Sequence, residues 1–167
     1  YSAGARPEKG KFLAIAEWPT ATGPADYVLF AGLVPLATVE AKRKNIDVSG
    51  SLQQAKRYSR SFRGSDGVEL AGGPWGEFQI PFVFSSNGRP YLRQLSTRSG
   101  IWFCDVRRPD SLAHALDGWY TPEGLVALLK RDEDKSRQQL ASEPLQYDFQ
   151  LRPYQQTAIR TIEKGIG

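Results

Sequence analysis

Residues 33–58 read LVPLATVEAKRKNIDVSGSLQQAKRY, and this stretch decides the fold. VPLATVEAK (34–42) is rich in β-branched and apolar residues and predicts a strand. It ends on Glu40-Ala41-Lys42, an anion and a cation two residues apart. A strand alternates its side chains, so Glu40 and Lys42 leave one face roughly 6.5–7 Å apart. Ala41 is expected to point the other way, into the core. KNIDVSGS (44–51) reads as a loop, and Ser51 as the cap of a helix running from about Leu52 to Phe62. On that helix Leu52, Ala55, Ser59 and Phe62 fall at i, i+3, i+7 and i+10 and would face inward. Gln54 and Tyr58, at i and i+4, share a different face.

Upstream, DYVLF (26–30) is joined to 34–42 by a short AGL, which predicts a β-hairpin and brings Asp26 alongside Glu40. KFLAIAEW (11–18) predicts a further strand, closed by Pro19, and TATGPA (20–25) a turn. Downstream, the glycine-rich GSDGVELAGGPWG (64–76) reads as a flexible loop. EFQIPFVFSSNGRPYLRQL (77–95) predicts two strands around Asn87-Gly88, and GIWFCDV (100–106) a central strand. SLAHALDGW (111–119) predicts a short helix. A second helix has Thr121 as its cap and Pro122 at its first position, and runs to Lys130. RDEDKSRQQLASEP (131–144) reads as a solvated helix or linker, and YDFQLRPYQQTAIRTIEKG (147–165) as a new element. Strands and helices in this order predict an α/β fold with a mixed central β-sheet flanked by helices.

Composition narrows the classes. With 40% hydrophobic residues, 8 Phe, 7 Tyr and 4 Trp in 167 residues, the chain can bury a full core. No apolar run reaches the roughly 18 residues of a membrane span. A single cysteine, Cys104, excludes an internal disulfide and fits a reducing cytoplasm. The chain has no methionine, which suggests a piece of something longer. Net charge is +4, yet Lys42–Arg63 alone carries +6 and the remainder −2. A basic segment on a moderately charged body is the footprint of a polyanion partner, or else a solvated face.

Asp26, Glu40 and Lys42 would place two carboxylates and one ammonium at a sheet edge. Carboxylate oxygens, with the Ala41 carbonyl, are hard ligands suited to Mg²⁺. A metal there lowers the pKa of water and neutralises a phosphodiester. Lys42 would orient the attacking water and offset transition-state charge. The plainer reading is a strand-face ion pair worth about 0–1 kcal/mol. Gln54 and Tyr58 can hydrogen-bond a phosphate or a ligand carboxylate. Arg43, Lys44, Lys56, Arg57 and Arg60 are the candidate contacts to the backbone phosphates of such a polyanion.

GPADYVLF (23–30) followed by VEAKR (39–43) resembles the PD-(D/E)-x-K nuclease superfamily, and QAKRY (54–58) the Q-x-x-x-Y motif of its RecB-like members. With AIAEWPT before them and PFVFSSNGRPY, GIWFCDVRRP and LDGWYTPEGL after, residues 11–130 resemble the N-terminal nuclease domain of the motor (restriction) subunit of type I restriction enzymes. LQYDFQLRPYQQTAI (145–159) resembles the start of a superfamily 2 helicase. The resemblance implies a nuclease domain over 1–145 and, over 146–167, a linker and the beginning of a motor. It implies Asp26 and Glu40 as metal ligands, Lys42 as the catalytic lysine, Gln54 and Tyr58 as its supporting pair, and Gln155 as an adenine reader. It further implies Mg²⁺, ATP for the whole subunit, double-stranded DNA as substrate, and modification (methyltransferase) and specificity subunits as partners. Three departures stand out. Ala25 separates Pro24 from Asp26. The helix whose acid often completes the site is not expected before the first strand here, which leaves Glu8 and Glu17 as weak candidates. No G-x-x-x-x-G-K-[ST] loop occurs, so this chain should not hydrolyse ATP.

Other residues read as structural. His114 is expected to pack beside Leu112 and Leu116, and Cys104 in the core. Ser85-Ser86 lacks a triad context, and Asp105 reads as a strand-end carboxylate. Of the tryptophans, only Trp75 is expected to be exposed. The alternative to an endonuclease domain is a DNA-binding or scaffolding domain that keeps the fold but does not cut; a stand-alone nuclease would leave LRPYQQTAI unexplained.

Overall fold

Three consecutive runs of apolar and β-branched residues form the first half of the sheet, as the alternation predicts: β1 (Phe12–Trp18), β2 (Ala25–Ala31) and β3 (Val34–Ala41). The structure is a computed structural model that describes residues 1–65, 67–131 and 152–166. It divides into the units Tyr1–Leu129 and Lys130–Gly167. After β3 come α1 (Leu52–Arg60), β4 (Phe82–Ser86), a 3₁₀ turn (Arg93–Arg98), β5 (Ile101–Asp105), β6 (His114–Ala115) and α2 (Pro122–Lys130). The six strands lie in sequence order in one sheet. β3 and β4 pair in parallel and every other neighbouring pair is antiparallel, so the sheet is mixed.

Laterally paired residues share a face. Val28 opposes Thr38, Thr38 opposes Val83, and Val83 opposes Cys104, and these define one face. There Leu52 and Ala55 of α1 pack on Val83, Cys104 and Val106. Tyr58 and Phe62 pack on Ile15, Trp18 and Val28. Leu52, Ala55 and Ser59 of the expected stripe are buried, but Tyr58 is buried with them, and α1 ends at Arg60 so that Phe62 packs from just beyond it. Ser59, the polar member, donates to the Ile80 carbonyl at 2.7 Å and accepts from its N–H at 3.1 Å. Thr38 donates to the Ala55 carbonyl at 2.8 Å, fastening α1 to β3. On the other face Val39, Phe84 and Phe103 pack with Leu125 of α2. The result is a helix–sheet–helix sandwich, a restriction-endonuclease-like α/β core.

Several expectations need correction. The strand after Asn87-Gly88 does not form over 89–95. Pro90 has no N–H to give to a ladder, and the chain makes an excursion through the 3₁₀ turn before β5 returns antiparallel to β4. Segment 111–119 is not a helix. His114 and Ala115 add a short edge strand against Phe103 and Trp102, and Leu112 is 83% exposed. His114 is thus exposed rather than packed in a helix. β5 stands next to that edge strand and is not central. Ser51 does not cap α1 through its side chain; its hydroxyl donates to the Asp47 carbonyl at 3.2 Å. Ala41, the last residue of β3, is exposed rather than turned into the core. Trp75 is half-buried and Trp119 is the exposed tryptophan.

The expected cap of α2 is present, with the Gly124 N–H donating to Thr121 Oγ1 at 3.0 Å. Cys104 is buried as expected, and Asp105 is a strand-end carboxylate paired with Arg107. In the second unit the described residues form α3 (Pro153–Ile166). Gln155 lies in its first turn and accepts from the Arg152 N–H at 2.9 Å. Beyond Arg131, the charged segment read over 131–144 and the following residues to 151 lie outside the described residues. No helix among the described residues is long and apolar enough to cross a membrane.

Candidate active site

The strand alternation that puts Thr38 against α1 also puts Glu40 there. One step beyond the Tyr27–Val39 pair, Asp26 falls opposite Glu40. On the other side Glu40 opposes Ser85 of β4. Asp26, Glu40 and Lys42 therefore rise from one face at the end of β3. Asp26 Oδ2 accepts a hydrogen bond from the Ala41 N–H at 2.7 Å, and Lys42 is ion-paired with Glu40 Oε1. The Lys42 N–H donates to the Ser86 carbonyl at 2.7 Å, so its backbone is still held by β4.

Burial separates this pair from an ordinary surface bridge. Glu40 is 1% exposed, and its Oε2 atom is buried without a hydrogen-bond partner. A buried carboxylate oxygen with no donor is costly unless something cationic meets it. That orphaned oxygen, with Asp26 beside it, is a donor set of the chemistry a hard divalent cation takes. It is a small set: among the described residues no group of three or more His, Cys, Asp or Glu side chains is placed to hold a metal. The two upstream acids are engaged elsewhere. Glu8 pairs with Lys11 at 2.8 Å. Glu17 takes a positive φ of 55°, which turns Trp18 into the core and leaves Glu17 exposed, bonded by the Ser2 hydroxyl.

Helix α1 supplies the second wall. Lys42 Nζ donates to Gln54 Oε1 at 3.3 Å, and Gln54 Nε2 donates to the Tyr58 hydroxyl at 2.7 Å. Glu40, Lys42, Gln54 and Tyr58, separated by up to 18 positions, thus form one connected cluster, which Asp26 adjoins through the Ala41 N–H. Burial pushes the Tyr58 phenol up to about 12; the hydrogen bond from Gln54 opposes the rise, while a hydrogen bond to Glu40 and the charges of Glu40 and Asp26 add to it. Tyr58 stays protonated, and its O–H remains a donor. An open concavity of about 440 Å³ beside the cluster is lined by Lys42, Asp47, Gly50, Gln54 and Arg57.

The candidate DNA contacts are unequal. Arg43, Lys44 and Arg57 are exposed and Lys56 half-buried. Arg60 instead pairs with Glu77 at 2.7 Å and lies over the Phe78 ring. Asn87, read from sequence as a turn residue, and Arg89, read as the start of the next strand, hold the loop that carries Arg43 and Lys44. Asn87 Nδ2 donates to the Ile46 carbonyl and Arg89 Nε to the Lys44 carbonyl, each at 2.6 Å.

Fold and cluster together define a restriction-endonuclease-like domain. The family model for the second domain of the type I restriction enzyme EcoKI endonuclease subunit matches residues 1–129. The type I restriction enzyme EcoKI endonuclease subunit of Escherichia coli (strain K12) is 40% identical across 99% of this chain. The chain belongs to this family of type I restriction enzyme endonuclease subunits, and spans 17% of that relative's length. No solved structure matches the chain.

Proposed function

We propose that this chain is the endonuclease domain of an ATP-dependent type I restriction enzyme, hydrolysing phosphodiester bonds of double-stranded DNA with Mg²⁺ after motor-driven translocation. The observation that carries the reading is the buried Glu40, its Oε2 unpartnered, with Asp26 and Lys42 on the same face. Asp26 and Glu40, with the Ala41 carbonyl, would hold the Mg²⁺. When bound, the ion supplies charge neutralisation and a more acidic water.

The chain's own groups do the remaining work. Lys42 holds the attacking water and offsets negative charge developing on the phosphate oxygens. Gln54 fixes Lys42 by accepting from its ammonium, and Tyr58 fixes Gln54 by accepting from its amide. Arg43, Lys44, Lys56 and Arg57 meet backbone phosphates, which positions the duplex without reading its sequence. Gln155 belongs to the adenine-reading edge of the motor in the longer subunit. The modification and specificity subunits complete the enzyme.

The test is cleavage by the assembled enzyme carrying Lys42→Ala, with ATP and Mg²⁺ present. Cutting should be lost and translocation retained. Cleavage at the wild-type rate would refute the catalytic role of Lys42.

A further inference from the structure

The loop from Arg43 to Gly50 links the strand carrying Glu40 and Lys42 to the helix carrying Gln54 and Tyr58. It has no helix or strand of its own, and it joins the backbone of Lys42 to the start of α1. Three side chains from β4 and its continuation hold it. Ser85 donates to the Val48 carbonyl at 2.6 Å, Asn87 to the Ile46 carbonyl at 2.6 Å and Arg89 to the Lys44 carbonyl at 2.6 Å. The donors step by two along the chain, through the bend at Gly88, while the acceptors step back by two. The loop therefore lies antiparallel over the end of β4, paired through side chains instead of backbone.

The rungs are themselves fixed. Ser85 is fully buried and Asn87 is 6% exposed. Asn87 Oδ1 accepts from the Arg89 N–H at 3.0 Å, so one side chain orders the next. The Asn87 N–H donates to the Gly100 carbonyl at 3.1 Å, keeping the rung in the β4–β5 ladder. Gly100 packs so closely on Arg89 that a Cβ there would lie 2.2 Å from the Arg89 carbonyl oxygen. The loop thus rests on a rigid frame.

We propose that Asn87 and Arg89 are positioning residues of the nuclease site, acting through the loop 43–50 to set α1 so that Gln54 meets Lys42. This inference rests on the nuclease reading above. A displacement on the order of 1 Å at the reacting groups costs up to about 100-fold in rate, and precise sites depend on such supporting contacts.

The test uses the assembled enzyme with Asn87→Asp and Arg89→Ala. Asn87→Asp keeps the acceptor for the Arg89 N–H and removes the donor to Ile46. Each variant should slow cleavage about 10–100-fold at saturating DNA, with the KM for DNA changed less than about 3-fold and ATP-driven translocation at the wild-type rate. Arg89→Lys, which keeps one charged donor, should recover much of the loss. In a Gln54→Ala background, Asn87→Asp should add little further loss, since residues acting through one contact are non-additive.

Phosphate binding by Arg89 would instead raise KM and flatten the salt dependence of binding by about one ion, and that result overturns the proposal. Full additivity with Gln54→Ala also overturns it, as does wild-type cleavage by Asn87→Asp and Arg89→Ala. If Lys42→Ala cuts normally as well, the nuclease reading itself has failed. If Lys42→Ala is inactive while these variants cut normally, only the positioning role has.

Discussion

Asp26 accepts the Ala41 N–H at 2.7 Å, so one oxygen of a candidate metal ligand also clamps the end of β3. The two roles separate by substitution. Asp26→Asn keeps an acceptor for Ala41, whereas Asp26→Ala leaves that N–H without one. Without metal, Asp26→Asn should unfold close to wild type and Asp26→Ala about 1 kcal/mol lower. Both should lose any rise in Tm on adding Mg²⁺. Thermal melts with EDTA and with Mg²⁺ check both statements.

Glu40 is the member of the cluster whose charge is hardest to bury. Glu40→Gln retains an acceptor for Lys42 and removes the charge from the unpartnered oxygen. In EDTA the variant should melt below the wild-type temperature, because the Lys42 ammonium loses its buried counter-ion. Wild type should gain stability with Mg²⁺ as mass action requires, and Glu40→Gln should not. A variant that still responds to Mg²⁺ would remove Glu40 from the ligand set.

Tyr58 gives a pH signature. Its phenol is pushed up to about 12 and is 4% exposed. The unfolded chain loses this proton near pH 10, its ordinary value, while the folded chain holds it. The contribution to stability is therefore intact below about pH 10 and lost as pH rises towards 12. The loss is on the order of 2–3 kcal/mol. Urea titrations between pH 9 and 12 should show a smaller decline for Tyr58→Phe than for wild type.

The far end of α1 is fixed by aromatic packing. Trp18 and Phe62 stack with centroids 5.7 Å apart and planes 5° from parallel, and the Trp18 indole donates to the Arg63 carbonyl at 3.0 Å. Phe62→Ala should cost about 3–4 kcal/mol and Phe62→Leu markedly less. Equilibrium denaturation measures the difference directly.

Salt dependence of duplex binding should rank the cations on α1. Arg57→Ala should reduce the slope by about one ion, since Arg57 is exposed beside the concavity. Arg60→Ala should reduce it far less, because Glu77 at 2.7 Å already balances that guanidinium. Equal slopes for the two variants would show that the ion pair opens on DNA.

The first three strands and α1 were legible because local chemistry alone explains them. Val34–Ala41 is a run of apolar and β-branched residues, and Leu52, Ala55 and Ser59 follow the helical repeat. Two pairs separated by two and four residues then fixed which groups share a face, so Asp26, Glu40 and Lys42 come together as read. The second half was less legible because its signals are tertiary. Asn87-Gly88 does end β4, but Asn87 bonds the loop at Ile46 and the returning strand starts only at Ile101. Segment 111–119 has helix-compatible composition, yet its fate is set by the free edge of β5, which the Leu116 N–H meets at the Ile101 carbonyl. Nothing local in Gly88–Pro90 announces that Arg89 will reach back to Lys44.

The lone parallel pairing in the sheet, β3 with β4, obliges the chain to cross over between two strands pointing the same way. That return leg has to set off from the rim where β3 ends, which is also where Glu40 and Lys42 emerge. A helix is delivered to the doorstep of the acidic pair by topology alone, before any side chain on it is chosen. Gln54 and Tyr58 thus stand on a helix that the crossover itself carries back to this rim.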